Sequence, residues 1–301
     1  MTKRTTNLLG IIITILAGTY FYITCCSECG MQSKEEPEKE VITSIEPKAT
    51  SFPFSFSDGD FTYSANDNFN FNSSSSAILT PVSQGVEDGI ESLKSFLDEN
   101  SEKVFNINGY YTSDEENDSA FPNLGLARAN AVKNYFVSKG IPSKLMNTLG
   151  QLKNELVPNV NLFSGPLGYS IANRAEDADE QLADIYQRIK GNPISLEFNT
   201  AEASINLRAE QRQKFANISR YLDKEDDAVA NIVGHTDNTG QRDANIKLGQ
   251  ERADFAKSYL MRNGIPESRI NATSKGPDEP IASNDTEEGR AKNRRTVITL
   301  N

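Results

Sequence analysis

The longest uninterrupted apolar run occupies residues 8–24, seventeen positions without a charge. As a helix it rises about 25 Å at 1.5 Å per residue, slightly short of a ~30 Å bilayer core, and Cys25 and Cys26 nearly close the gap. The pattern predicts a transmembrane helix over 8–26. Lys3 and Arg4 precede the run and acidic residues follow soon after it. That asymmetry places residues 1–7 in the cytoplasm and the chain beyond Cys29 across the membrane, in the periplasm. A cleaved signal peptide is the competing reading, but no Ala-x-Ala pattern follows the run. Lipidation at Cys25 would set Thr24 and Tyr22 where such signals carry a small residue and Leu. Residues 27–52 are charged and Pro-containing with no sustained apolar period, the composition of a flexible tether.

Further along, the apolar period alternates between two values. Ile194, Leu196 and Phe198 alternate with polar residues, as in a half-buried strand. Phe215, Ile218 and Leu222 recur at i, i+3 and i+7, giving a helix over about 206–223, and 229–235 is a second short strand. A helix over about 250–262 is read as starting near Gly249 and ending at Gly264, with Pro266 just beyond. Residues 269–274 and 295–300 supply two more strands, with helical turns in the 277–293 loop. The order strand-helix-strand-helix-strand-strand implies a mixed sheet with helices packed on one face.

This succession occurs twice. Gly140-Ile141-Pro142 and Gly264-Ile265-Pro266 lie 124 positions apart. At that offset Leu124-Gly125 and Arg128-Ala129 fall on Leu248-Gly249 and Arg252-Ala253, and Tyr135-Phe136 on Tyr259-Leu260. Upstream, Gly109 falls on Gly234 and Phe71-Asn72 on Phe198-Asn199, at offsets of 125 and 127. The chain is therefore read as α+β: two tandem β/α sandwich domains, at 53–174 and 192–301, joined by a linker helix over 175–191 and set behind the N-terminal transmembrane helix.

Composition removes most catalytic options. The single histidine, His235, excludes a His-rich metal centre and confines Ser-His-Asp or Cys-His catalysis to one position. Cys25, Cys26 and Cys29 fall together at the membrane boundary and cannot cross-link either domain. A net charge of −11 argues against a nucleic-acid partner, whose phosphates need clustered Lys and Arg. Residues 192–301 carry 16 basic and 17 acidic side chains, so almost all of the excess negative charge lies before them. No cofactor, metal or catalytic set is expected. A calcium loop opening at Asp237 fails because its twelfth position is Leu248 in place of Glu.

The strand ending at His235 delivers Thr236-Asp237 into a polar loop, and the next helix is read as carrying Arg252 in its first turn. The helix start and Arg252 favour a carboxylate while Asp237 accepts an ammonium, which together make a receptor for a zwitterion. Plainer roles compete: Asp237 satisfying turn amides, Arg252 pairing on the surface with Glu251 or Asp254, His235 packed at a strand end, and Arg294 on a solvated basic edge.

These residues resemble the OmpA-like peptidoglycan-binding domain family, whose pattern is T-D-x-x-G, then N-x-x-L-S-x-x-R-A, a G-I-P after the helix and a late N-x-R-R stretch. Here it reads Thr236-Asp237-Asn238-Thr239-Gly240, Ala244-Asn245-Ile246-Lys247-Leu248-Gly249-Gln250-Glu251-Arg252-Ala253, Gly264-Ile265-Pro266 and a late stretch from Asn284 to Asn293-Arg294-Arg295. The resemblance covers about 195–301. It implies non-catalytic binding to the peptide stem of peptidoglycan, with Asp237 and Arg252 holding the ammonium and carboxylate of diaminopimelate. Thr236, Asn245 and Arg294 are supporting contacts by position. Ala244 stands in place of the usual Tyr and Gly249 in place of a helix-capping Ser. The first copy keeps Arg128 but has Thr112 where Asp237 stands. Its Ser113-Asp114-Glu115-Glu116 run could substitute a carboxylate, though an exposed acidic loop is the simpler reading. That copy is expected to be degenerate, a spacer or a contact surface for other envelope proteins.

Two other functions compete with wall binding. An envelope adaptor would contact proteins through both copies and leave the wall untouched. A wall hydrolase would use Asp237 and Asp243 as a carboxylate pair, but no sequence feature holds either one protonated.

Overall fold

The computed structural model describes residues 15–22 and 48–301, which fall into two units, Met1–Lys48 and Ala49–Asn301. Residues 15–22 are helical, with the Thr19 hydroxyl donating to the Ile15 carbonyl at 2.8 Å. Most of the expected span over 8–26, residues 1–7, most of the tether and all three cysteines lie outside the described residues. Among the described residues no helix is long and apolar enough to cross a membrane.

From Ala49 onward the first copy runs β1 (Phe54–Asp58), β2 (Phe61–Ala65), β3 (Phe71–Asn72), α1 (Gln84–Glu99), β4 (Lys103–Tyr111), α2 (Leu124–Ser138), β5 (Met146–Leu152), β6 (Leu162–Phe163) and β7 (Leu167–Asn173). After α3 (Ala178–Gly191), the second runs β8 (Ile194–Glu197), α4 (Ala209–Lys224), β9 (Ala230–His235), α5 (Arg242–Arg262), β10 (Ile270–Gly276), α6 (Glu287–Asn293) and β11 (Arg295–Leu300). The sheets are mixed and share one motif. In the first, β4 pairs parallel with β5 and antiparallel with β7; in the second, β9 pairs parallel with β10 and antiparallel with β11.

The fourth strand separates the copies. β8 completes the second sheet by pairing antiparallel with β11. Its counterpart β3 pairs with β6 instead, because the first copy's connection to its last strand carries β6 where the second copy carries α6. The first copy adds the β1–β2 hairpin, which sends Phe54 and Phe56 into its core. The expectation of two like sandwiches thus holds for the central strands and not for the sheet edge.

Alternation builds the second core. Ile194 and Leu196 point inward while Ser195 and Glu197 are exposed, and Phe215, Ile218 and Leu222 of α4 and Ala253, Ala256 and Leu260 of α5 cover that face. Each fully buried Leu, Ile or Phe stabilises the fold by about 1.5–3 kcal/mol. Both central helices end alike, on a glycine in the left-handed region, Gly140 at φ 92° and Gly264 at φ 91°, where a side chain would be strained.

The start of α5 corrects the sequence expectation. The helix begins at Arg242, about two turns before Gly249, so Arg252 lies in its interior and Gly249 caps nothing. Gly249 serves a close crossing: a Cβ on Gly234 would lie 1.8 Å from the Gly249 carbonyl oxygen. Gly109 and Gly125 make the same crossing of β4 and α2, at 1.9 Å. With each helix pressed onto its strand, an arginine one turn further on reaches over the strand's end.

Polar contacts join the copies. Lys133 pairs with Asp223, both largely buried, and Lys144 with Asp226 at 3.0 Å. The Lys224 ammonium donates to the carbonyls of Lys144 and Met146 at 2.7 and 2.9 Å, and burial lowers its pKa to about 8.

Candidate functional site

Arg252 projects from α5 over the end of β9 and is completely buried. Its guanidinium sits in a cradle of backbone carbonyls: Nε donates to Glu202 at 2.8 Å, Nη1 to His235 at 2.9 Å and Nη2 to Asn199 at 3.0 Å. It also lies 5.0 Å from the Phe198 ring centroid, within cation–π range. The expected surface pairing with Glu251 or Asp254 does not occur. A guanidinium has five N–H groups; one on each Nη finds no acceptor among the described residues. Burial lowers the Arg252 pKa to about 10, opposed by the charge of Asp237 and reinforced by that of Arg294.

Asp237 is the nearby acid, 5% exposed, on the loop that leaves β9. Oδ1 accepts the Thr239 N–H at 2.9 Å and Oδ2 accepts from Arg294 Nη1 at 3.0 Å. Burial alone would raise its pKa, but those hydrogen bonds outweigh it and hold the carboxyl below its usual range. Arg294 is no solvated edge. It is 7% exposed, and its guanidinium also reaches the Phe198 carbonyl and Glu287. The Asn245 amide donates to the Thr239 carbonyl at 3.0 Å, and the Thr236 hydroxyl to the Asp237 carbonyl at 2.8 Å. Asp237, Arg252 and Arg294 therefore form one electrostatic cluster, while Asn245 and Thr236 order the loop that bears the acid.

His235 ends β9 buried, with no partner for Nδ1 among the described residues. Burial, assisted by the Arg295 charge, lowers its pKa to about 4, so it is neutral near pH 7. Asp243 lies exposed in the first turn of α5. Among the described residues no His, Cys, Asp and Glu cluster is arranged to hold a metal.

The cradle itself had no side-chain signature, because Asn199 and Glu202 act through their carbonyls. The one visible hint was the Phe-Asn pair that both copies carry, Phe71-Asn72 and Phe198-Asn199. In the first copy Glu115 departs from the exposed acidic loop expected of it: its side chain is 4% exposed and pairs with Arg128.

Known proteins are similar to parts of this chain. The chain is 38% identical over 108 residues to the probable lipoprotein YiaD of Escherichia coli, covering 36% of this chain and 48% of that protein. It is 47% identical over 75 residues to the peptidoglycan-binding protein ArfA of Mycobacterium tuberculosis, 25% of this chain and 23% of that one. The chain thus spans about half the length of the first and a quarter of the second. Among solved structures, the peptidoglycan-associated lipoprotein from Burkholderia pseudomallei aligns with a TM-score of 0.33 and 26% identity over 36% of this chain and 89% of its own. The OmpA family matches residues 70–159 and 198–294, together more than half of the chain. The chain belongs to the OmpA family.

Proposed function

We propose that the second copy binds the peptide stem of peptidoglycan without catalysing any reaction, Arg252 meeting a carboxylate of diaminopimelate and Asp237 its ammonium. The observation that carries this reading is the buried Arg252, held by three carbonyls with two N–H groups unanswered, beside an ionised Asp237. A buried charge without a contacting counter-charge is costly, and an incoming carboxylate relieves that cost. Arg252 is fully covered, so the ligand reaches it only as the residues over it yield. Arg294, Asn245 and Thr236 support the site by fixing Asp237 and its loop. One such grip is weak, and a polymer that displays many stems raises the apparent affinity. ArfA, a relative, is named for peptidoglycan binding.

In this reading the domains at 53–174 and 192–301, with the helix over 175–191 between them, lie in the periplasm. The helix over 8–26 holds them to a membrane and residues 27–52 are the tether. The hydrolase alternative is disfavoured by the acids themselves: a general acid needs a raised pKa, whereas that of Asp237 is lowered, and Asp243 is an exposed helix residue.

Sedimentation of the full chain with isolated cell-wall sacculi tests the proposal. The wild type co-sediments, and Asp237→Asn and Arg252→Lys co-sediment less while remaining folded. Undiminished binding in both variants removes the site assignment, and release of soluble muropeptides supports the hydrolase instead.

A further inference from the structure

The first copy holds a counterpart of the Arg252 cradle, and it is filled. Arg128 is as buried as Arg252, 0% exposed in each case. Its Nε donates to the Ser75 carbonyl at 3.0 Å, Nη1 to Tyr110 at 2.9 Å and Nη2 to Asn72 at 3.3 Å, the positions that the internal repeat pairs with Glu202, His235 and Asn199. The remaining N–H groups are answered by a carboxylate. Glu115 places Oε2 3.1 Å from Nη1 and Oε1 against Nη2. The same carboxylate accepts the backbone N–H groups of Ser74 and Thr112, each at 3.0 Å. Four donors converge on one buried anion.

The second copy presents those donors without the anion. Ser74 sits in the left-handed region at φ 56° and its counterpart Ala201 at φ 60°, an unusual conformation for residues with a side chain that both copies keep. Asp237 stands where Thr112 does. Neither the Ala201 N–H nor the Asp237 N–H donates to an acceptor among the described residues.

We infer that the first copy contains a carboxylate-binding seat built like that around Arg252, and that Glu115 is its resident ligand, which closes this copy to carboxylates from outside. The plug is pinned on both sides. The Asn154 side-chain oxygen accepts the Ser113 N–H at 2.9 Å, and Arg212, from α4 of the second copy, donates to the Asn117 carbonyl at 3.0 Å. The chain accordingly carries one seat with no resident carboxylate among the described residues and one occupied by its own residue. This rests on the first copy's geometry alone and stands whether or not the second copy binds the wall.

Acetate is the probe. In the full chain, Glu115→Ala leaves the four donors free, and acetate, compared with chloride at equal ionic strength, raises the unfolding midpoint saturably. A tenfold excess over Kd gives about 3–6 °C. Wild type and Glu115→Gln, in which a side chain still fills the first seat, lack this added increment and show only the response of the second copy. A crystal of Glu115→Ala grown in acetate shows the ion between Arg128 and the N–H groups of Ser74 and Thr112. A folded Glu115→Ala variant with no acetate response beyond the wild type's, or acetate bound elsewhere only, overturns the inference. If the variant does not fold in chloride, acetate in the refolding buffer restores it; failure in both salts overturns the inference equally.

Discussion

Replacing Asp237 with Asn changes one charge and almost no volume, which makes it the sharpest probe of the site. The carboxylate makes two hydrogen bonds, to the Thr239 N–H at 2.9 Å and to Arg294 at 3.0 Å. The Asn oxygen keeps the first, so the loop keeps its turn, and the amide NH₂ then faces the Arg294 donor. Losing that charge-assisted bond costs about 1.5–3 kcal/mol, softened because Glu287 still pairs with Arg294 at 2.9 Å. A domain stable by about 5–15 kcal/mol survives this, so binding is measured on folded protein. An ammonium held by Asp237 loses a bond of the same class, about 1.5–3 kcal/mol, or roughly a 10- to 150-fold drop in affinity.

The assay is co-sedimentation with sacculi at fixed ionic strength, backed by calorimetric titration with a diaminopimelate-containing stem peptide. Asp243→Asn is the control, since it removes a neighbouring acid that is exposed and outside the cluster; its affinity stays that of the wild type. Wild-type affinity in Asp237→Asn, or an equal loss in Asp243→Asn, refutes the reasoning. The pH dependence gives a second check. The folded-state pKa of Asp237 is depressed, so its stabilising contribution is full above the unfolded value of about 3.9 and is lost as pH falls through the folded value. The stability gap between wild type and Asp237→Asn closes in that acid range and not above it.

Three further outcomes follow from the packing. His235, with its pKa lowered to about 4, makes the unfolded chain bind more protons as pH falls from the ordinary histidine value of about 6.5; stability declines over that window, and His235→Gln flattens the slope in denaturant titrations at stepped pH. Gly234→Ala drives a methyl to 1.8 Å from the Gly249 carbonyl and destabilises by about 3 kcal/mol or more, whereas at Gly191 an added Cβ meets nothing within 4 Å and alanine is neutral or mildly stabilising, as thermal melts will register. Asp223→Asn strands the Lys133 ammonium, 2% exposed, at the junction of the copies and costs about 3 kcal/mol in chemical unfolding.

Much of this architecture was legible along the chain, for reasons that show where legibility stops. The strands at 194–198 and 229–235 and the stripe of Phe215, Ile218 and Leu222 announce themselves because each element buries one face, and the period of the apolar positions records that face. The start of α5 was misplaced because an isolated glycine in a helix costs about 1 kcal/mol and so reads as a boundary. What places Gly249 inside the helix is Gly234 across the crossing, a tertiary fact. Glu115 was hidden among Asp114 and Glu116, since composition assigns a run of acids to solvent while burial selects one member. The spacing of Asp237 and Arg252 signalled a charged pair. That Arg252 is buried rather than displayed depends on carbonyls of a polar stretch with no periodicity at all.

The two copies together act as an internal control on what the arginine seat requires. Both bury a guanidinium against three backbone carbonyls, an arrangement that leaves a full positive charge away from water and is costly without an anion. The first copy supplies the anion permanently through Glu115; the second has none in contact with Arg252 among the described residues, and burial lowers the Arg252 pKa to about 10. A ligand carboxylate should therefore strengthen the second copy as well as occupy it. Free diaminopimelate is expected to raise the wild-type unfolding free energy by RT ln(1 + [L]/Kd), about 1.4 kcal/mol at tenfold excess, with a much smaller rise at the same concentration in Asp237→Asn, where the ammonium end has lost its acid. If both proteins gain equally, the ligand is held by its carboxylate alone and Asp237 takes no part in the grip. If neither gains, the Arg252 seat does not open to this amino acid, and its unanswered N–H groups serve the fold rather than a ligand.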